Sequence, residues 1–457
     1  MTKKSWAASI PSDASPKYIA LADAIGRAIE AGYLNSGDRL PTNRELSQLF
    51  NVTIATVTKG MAVASRRGLI TAQVGNGTFV ADRSARRLDI EAMDLSLNVV
   101  PQTVVSGELS RLLDTLNACA VHDSLFGYGS YLPSETHSRL AVEWMRSFGV
   151  DTKSSGPLLT TGVHQGLLAS FLALLKPGES AICEDLTYTG IRRIAGFRGV
   201  RLQGVALDEE GMLPDQLEEH LKKGDARVVI LTPTLHNPTT ATMSLERRRA
   251  IAALCRKHDA YLIEDGVNMP IAGELHPPVA SLIPDRAILL TGYSKCVASG
   301  FRLGYAIVPA QLQQVFLEGL VSMQWTGPHL YSKLAENMLR EGLIGQFAAA
   351  HRAEAALRYE LALQYLPTIR AVDKHAYHAW VDCRNRATTE NFAIQALRRG
   401  VKVSPAAHFS VAADSGSATS GYRISLGSCA DRDVLERALI ALGSLDETRI
   451  TATATLI

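Results

Sequence analysis

Over the first eighty residues the apolar positions repeat with the period of a helix and then with that of a strand. Tyr18, Leu21, Ala22, Ile25 and Ile29 share one helical face. Gly37-Asp38 marks a turn, and Thr42-Asn43-Arg44-Glu45 has the Thr-x-x-Glu form of a capping box opening a second helix through Phe50. After Asn51-Val52-Thr53, with Thr53 as its cap, a third helix turns Val57, Met61 and Ala64 inward and stops at Gly68. Residues 69–74 and 78–80 read as strands around Gly75-Asn76-Gly77, because Asn-Gly favours a tight primed turn. Three helices with a short break between the second and third, then a hairpin, predict a helix-turn-helix with a wing.

Residues 82–90 are polar and carry no apolar period, as a tether between domains would. Beyond them, short β-rich runs at 180–183, 227–231, 260–263, 287–290 and 304–308 alternate with helical stretches. That alternation predicts an α/β fold on a mostly parallel, doubly wound sheet. A long helical stretch over 311–366 leads to a smaller C-terminal α+β lobe. The expected domains are therefore 12–81, a linker at 82–90, and 91–457.

The chain has 457 residues, 46% hydrophobic and 20% charged, as expected of a soluble protein of two to four units. Its net charge is only +2, but the distribution is uneven. Residues 1–90 hold twelve Lys/Arg against seven Asp/Glu, and a basic front end on a near-neutral body points to nucleic acid. The six cysteines are scattered, with no Cys-x-x-Cys and no His at metal-ligand spacing, so free thiols and no metal are expected. No apolar h-region follows Met1-Thr-Lys-Lys and no run reaches membrane-spanning length; a cytoplasmic location is expected.

In the winged geometry the third helix enters the major groove with its first residues facing base edges. Thr53, Ile54, Thr56 and Lys59 are then at or near DNA, Arg44 meets phosphate, and Gly75, Asn76 and Gly77 form the wing tip. In the large domain, ligands of a doubly wound sheet collect beyond the carboxyl ends of the strands. Asn237, Asp265 and Lys295 all follow predicted strands, and Gly162-Val163-His164-Gln165-Gly166 opens a helix suited to a phosphate. The run Ser294-Lys295-Cys296-Val297-Ala298-Ser299-Gly300-Phe301-Arg302-Leu303-Gly304 suits a single chemistry, in which the amine condenses with an aldehyde while Arg302 grips a dianionic phosphate. An isolated lysine is ordinarily a solvated charge. Here Asn237-Pro238, Glu264-Asp265 and Arg423 occur with it in order.

The string Leu40-Pro41-Thr42-Asn43-Arg44-Glu45-Leu46, with Val52-Thr53 and Gly75-Asn76-Gly77-Thr78-Phe79-Val80, resembles the GntR family of bacterial regulators. The large domain resembles fold-type I pyridoxal phosphate (PLP) enzymes of the aminotransferase family. Joined, the two resemble MocR-type regulators, with Leu95-Ser96-Leu97-Asn98, Glu184-Asp185-Leu186-Thr187-Tyr188 and the stretch from Leu235 to Met243 as further cues.

The resemblance implies that Lys295 forms the internal aldimine, Asp265 pairs with the pyridinium, Asn237 donates to O3′ and Tyr188 stacks on the ring. It places Gly162, Val163, His164, Ser294 and Arg302 around the phosphate and gives Arg423 a ligand carboxylate. Tyr128 resembles the tyrosine lent by a second subunit, which implies a homodimer. Two departures stand out. Ile54 and Thr58 occupy positions where many relatives carry Arg, and Asn268 stands near where aminotransferases carry a second Tyr on O3′. The favoured reading is a PLP-dependent DNA-binding regulator that senses a small amine or amino acid through aldimine chemistry at Lys295. The alternatives are an active aminotransferase with a DNA-binding appendage, and a repressor whose large domain is only a dimer scaffold.

Overall fold

In the computed structural model the described residues are 17–30, 33–35, 37–66, 69–73, 77–80, 93–106, 127–152, 155–371, 373–383, 386–411 and 420–445. The chain divides into two units, Met1–Glu91 and Ala92–Ile457. The expected linker at 82–90 and the wing-tip residues Gly75 and Asn76 lie outside the described residues.

The first unit has helices α1 (Lys17–Glu30), α2 (Asn43–Leu49) and α3 (Ile54–Arg66), then strands β1 (Ile70–Gln73) and β2 (Gly77–Val80) paired antiparallel. The capping box forms in full, with Thr42 Oγ1 accepting from Glu45 N–H while the Glu45 carboxylate accepts from Thr42 N–H. Thr53 Oγ1 accepts from Thr56 N–H at 3.2 Å, as a cap of α3 should. Leu21, Ile25, Leu46, Val57 and Ala64 are all fully buried in one cluster, as the helical period requires.

In the large unit, α4 (Glu135–Arg146) precedes β3 (Leu158–Thr160), α5 (Val163–Leu174), β4 (Ser180–Glu184), α6 (Thr189–Arg198) and β5 (Arg201–Val205). Then come β6 (Ala226–Leu231), α7 (Leu245–Lys257), β7 (Tyr261–Asp265), β8 (Ala287–Gly292) and β9 (Gly304–Ile307). These strands make a seven-stranded sheet in the order β3-β9-β8-β7-β6-β4-β5. The neighbours from β8 through β5 pair parallel, and β9 is antiparallel to both of its partners. Alternate residues of β6 enter opposite cores, Val228 and Ile230 on one face and Val229 and Leu231 on the other. A strand covered on both faces reads as an unbroken apolar run.

The expected helical stretch over 311–366 is three helices, α8 (Gln313–Met323), α9 (His329–Arg340) and α10 (Leu343–Tyr365). Pro328, which lacks an N–H, caps α9, and Gly342, at φ +70°, takes the left-handed conformation before α10. The small lobe is an antiparallel sheet of β10 (Ile369–Arg370), β11 (His378–Asp382), β12 (Ser404–Pro405) and β13 (Gly421–Ser425) in the order β10-β11-β13-β12. Helices α11 (Arg386–Arg398) and α12 (Arg432–Gly443) complete it.

Candidate functional site

The parallel strands end together, and their following loops deliver the site. Gly162 caps α5 after β3, Tyr188 caps α6 beyond β4, and Asn237 lies in the loop after β6. Asp265 is the last residue of β7 rather than the one beyond it, Ser294 and Lys295 follow β8, and β13 of the small lobe supplies Arg423. Val163, His164, Tyr188, Asn237, Asp265, Ser294, Lys295, Arg302 and Arg423 line one cavity of about 410 Å³. That volume falls within the roughly 300–1,000 Å³ of small-molecule sites.

Burial sets the charges. Lys295 is 8% exposed, and its Nζ donates to Asn98 O at 2.5 Å. Desolvation, with the Arg423 and Arg302 charges against it and Asp265 in its favour, lowers its pKa to about 7. Burial raises Asp265 to about 6 against the pull of Val267 N–H and Lys295. Arg423 is also buried: Nη1 donates to Asn237 Oδ1 at 2.7 Å, Nη2 to Ser96 O, and Nε has no partner among the described residues. Two more carboxyls are buried next to the lining residues Thr232 and Asp265. Glu184, accepting from Thr232 N–H, is raised by desolvation to about 8, and Glu264 to about 7.

Arg302 donates from Nη1 to Ser294 Oγ at 3.2 Å and from Nη2 toward Thr161 O at 3.5 Å. It therefore lies against the N-terminus of α5, whose first N–H groups have no intrahelical acceptor. Gly162 has φ +79°, and a Cβ there would come 2.8 Å from Arg302 Nη2. The positive φ requires glycine at this turn, and a side chain there would also displace the Arg302 guanidinium. His164 sits edge-on to Tyr188 at 6.2 Å between ring centroids. A Cβ on Gly190 would come 2.2 Å from the Tyr188 ring, so the missing side chain leaves the ring its place.

Two residues stand apart from the rest. Tyr128, expected at the site of a second subunit, is 85% exposed and does not line this cavity. Asn268 lines it, but its Nδ2 donates to Leu235 O at 2.7 Å, bracing the loop that carries Asn237. Sequence reasoning missed Ser96 and Asn98 as partners of Arg423 and Lys295, and Thr232, Ser299 and Arg193 as lining residues. The run Leu95-Ser96-Leu97-Asn98 stood out only as a family cue, because backbone carbonyls carry no residue-type signal.

In the first unit, Thr53, Ile54 and Lys59 are exposed at the start of α3, Thr56 is half-buried against Thr53, and Arg44 is exposed on α2. These positions leave the third helix's leading turn free for a groove. Gly77 begins β2 with the Arg39 guanidinium 2.9 Å from where a Cβ would be, so the structure places a basic group, Arg39, at the wing.

Residues 91–442 match the family "Aminotransferase class I and II", and residues 17–80 match "Bacterial regulatory proteins, gntR family". The chain belongs to the MocR-type GntR regulators. It is 27% identical over 416 residues to the HTH-type transcriptional regulator YdeF of Bacillus subtilis (strain 168), covering 89% of this chain and 90% of that one. It is 26% identical over 339 residues to the HTH-type pyridoxine biosynthesis transcriptional regulator PdxR of Corynebacterium glutamicum, covering 70% and 73%. The fold is shared with kynurenine aminotransferase of Pyrococcus horikoshii, at TM-score 0.71 and 20% identity, over 86% of this chain and 99% of that one.

This MocR-type chain is thus a DNA-binding transcriptional regulator with an aminotransferase-like domain, and PLP is that domain's cofactor. The residues fit the group: a cavity walled by a buried amine of lowered pKa, a buried carboxyl, and an arginine against a helix N-terminus that tolerates only glycine. No helix among the described residues is long and apolar enough to cross a membrane.

Proposed function

We propose that the chain is a PLP-dependent regulator that senses a small amine or amino acid at Lys295 and passes that occupancy to its DNA-binding unit. The observation that carries this reading is the convergence of Lys295, Asp265, Arg302 and Arg423 on one cavity, with the lysine pKa near 7. PLP supplies an aldehyde that condenses reversibly with primary amines, and a ring that withdraws electrons.

The chain's own groups have the following parts. Lys295 offers an amine that is substantially neutral at physiological pH, and therefore nucleophilic. Asp265 would keep a proton on the ring nitrogen, and Asn237 would offer its Nδ2 as a donor to the ring. Arg302, Ser294, the turn at Gly162 and the N–H groups of Val163 and His164 would hold the phosphate, and Tyr188 would cover the ring. Arg423 holds a ligand carboxylate. Thr53, Ile54, Thr56, Lys59 and Arg44, with Gly75, Asn76 and Gly77 at the wing, form the surface toward the operator.

Two copies form the working unit. Tyr128 and Leu132 are both exposed on one segment, and the Gly327 N–H to Gly129 O bond brings the segment of exposed Trp325 alongside it. An apolar face of this kind suits a second copy, to whose site Tyr128 is lent. A two-fold protein then reads two half-sites.

Reconstitution tests the reading. The PLP-treated protein is expected to carry a visible band that borohydride traps at Lys295 and that Lys295→Ala lacks. It is also expected to bind its own upstream region with an affinity that falls with salt and changes when an amine is added. A colourless protein, or binding no different from that to random DNA, overturns it. The complete ensemble also suits an aminotransferase, and sustained turnover of an amino donor with a keto acid, at about 1 per second or more, would put that reading in its place.

A further inference from the structure

The two groups that the proposed function assigns to cofactor and ligand, the Lys295 amine and the Arg423 guanidinium, both donate to the same short run of backbone. Arg423 Nη2 donates to Ser96 O, and Lys295 Nζ donates to Asn98 O at 2.5 Å. Other fastenings hold the run as well, and Ser404 Oγ donates to the same Ser96 O at 3.2 Å. Ser425 N–H donates to Leu95 O at 2.8 Å, and Val100 N–H donates to Ser299 Oγ at 3.1 Å. The Asn98 side chain is fixed as well. His378 Nε2 faces His236 O at 2.9 Å and so carries the proton, leaving Nδ1 to accept from Asn98 Nδ2 at 3.3 Å. Leu97 between the two carbonyls is exposed and lines the cavity.

We propose that residues 96–98 are a strap released by occupancy of the site. Lys295 gives up Asn98 O when it takes the cofactor aldehyde, and Arg423 gives up Ser96 O when it takes a ligand carboxylate. The inference rests on the proposed function for what fills the site. When an amine condenses with an aldehyde, one C=N bond forms, one water leaves, and the nitrogen keeps at most one N–H. Lys295 then has no spare donor for a carbonyl outside the plane of that bond. A carboxylate gripped in a two-pronged fork takes adjacent N–H groups of the guanidinium. Nη1 is already on Asn237 and Nε is unpaired, so the fork that opens to a ligand uses Nε with Nη2, the group now on Ser96 O.

Release is therefore two-stage. Cofactor loosens the strap at Asn98, and a ligand bearing both an amine and a carboxylate loosens it at Ser96. The fastenings at Leu95, Val100 and His378, and the Ser404 Oγ bond to Ser96 O, involve neither group, so the strap relaxes without detaching. Residues 93–99 are also the first described part of the large unit along the chain from the winged helix. Occupancy is thereby written onto the segment that the linker joins.

Hydrogen exchange by mass spectrometry on the full chain tests this, reading the peptide over residues 93–100 in four states: wild type and Arg423→Ala, each without and with PLP. Exchange there is expected to rise about tenfold with PLP, by a similar factor with Arg423→Ala, and furthest with both. A peptide over Ala226–Leu231 should be unchanged. Arg423→Gln serves if the alanine variant loosens that control peptide. Exchange over 93–100 that is unchanged or slower in both the PLP and the Arg423 arms overturns the strap, even where the visible band forms. Absence of the band on adding PLP overturns the proposed function instead, and the Arg423 arm still reads the Ser96 anchor.

Discussion

Arg423 Nη1 donates to Asn237 Oδ1 at 2.7 Å, joining the small lobe to the loop after β6. With its oxygen so occupied, Asn237 turns its NH₂ into the role of free donor. One arginine thus orients a cofactor contact and waits for a carboxylate. Arg423→Ala is expected to keep the visible band but to weaken an amino acid by ~10- to 100-fold, and its decarboxylated amine little. Spectral titration of both ligands checks this; an equal loss for the two would remove Arg423 from carboxylate binding.

Lys295 has its pKa lowered to about 7, chiefly by burial. Its amine is charged and unreactive below that value and neutral above it. The rate of PLP incorporation is therefore expected to rise through pH 7 and level off above pH 8. Stopped-flow absorbance reads it, and a rate that falls over that interval contradicts the placement of the lysine.

Gly162→Ala forces a side chain into a left-handed turn and against Arg302 Nη2. PLP affinity should drop by at least tenfold while thermal stability falls by ~1 kcal/mol or more from the turn. Fluorescence or absorbance titration with PLP gives the affinity. Unaltered binding would show that the phosphate is held elsewhere.

Glu184 and Glu264 are raised to about 8 and about 7 by burial, so the folded protein keeps protons that the unfolded chain loses above pH 4.5. Their stabilising effect is complete below that pH and is lost as pH rises through 7 to 8. Glu184→Gln, which imitates the protonated acid at Thr232 N–H, should flatten the decline of melting temperature between pH 5 and 8. A slope as steep as wild type's would assign the decline to other groups.

Thr42→Ala removes one half of the capping box on α2 and should cost the winged unit about 1 kcal/mol. Lys59→Ala, on the exposed side of α3, should weaken binding to all DNA sequences alike and lower the salt slope by about 1. Paired measurements of unit melting and DNA affinity against salt separate the two. A sequence-selective loss from Lys59→Ala would mean that it reads a base and not a phosphate.

Much of the fold is legible in the sequence because it is local. The spacing of Leu21, Ile25, Val57 and Ala64 names a buried helix face whatever surrounds it, and Thr42 with Glu45 closes a cap within one turn. Asn237, Asp265 and Lys295 are legible for a different reason: each lies at or just beyond the carboxyl end of an apolar strand, and in a doubly wound sheet those ends converge. What escapes is non-local or not side-chain chemistry. Nothing about Ser96 or Asn98 signals that its carbonyl will meet a cation about two or three hundred residues away. Arg39 reads as one more surface charge until the wing places Gly77 against it. The stretch over 311–366 carries helical periodicity throughout, and only packing shows where Pro328 and Gly342 divide it.

The sequence alone therefore determined the elements, their order and the residue types of the site, since period, caps and turns are written within a few residues. Tertiary structure decided the charges and the partners. A lysine becomes a neutral amine only when the fold removes its water, and Arg423 faces Asn237 and Ser96 only because the small lobe folds over the strand ends. Such terms depend on distance in space, and distance along the chain does not contain them.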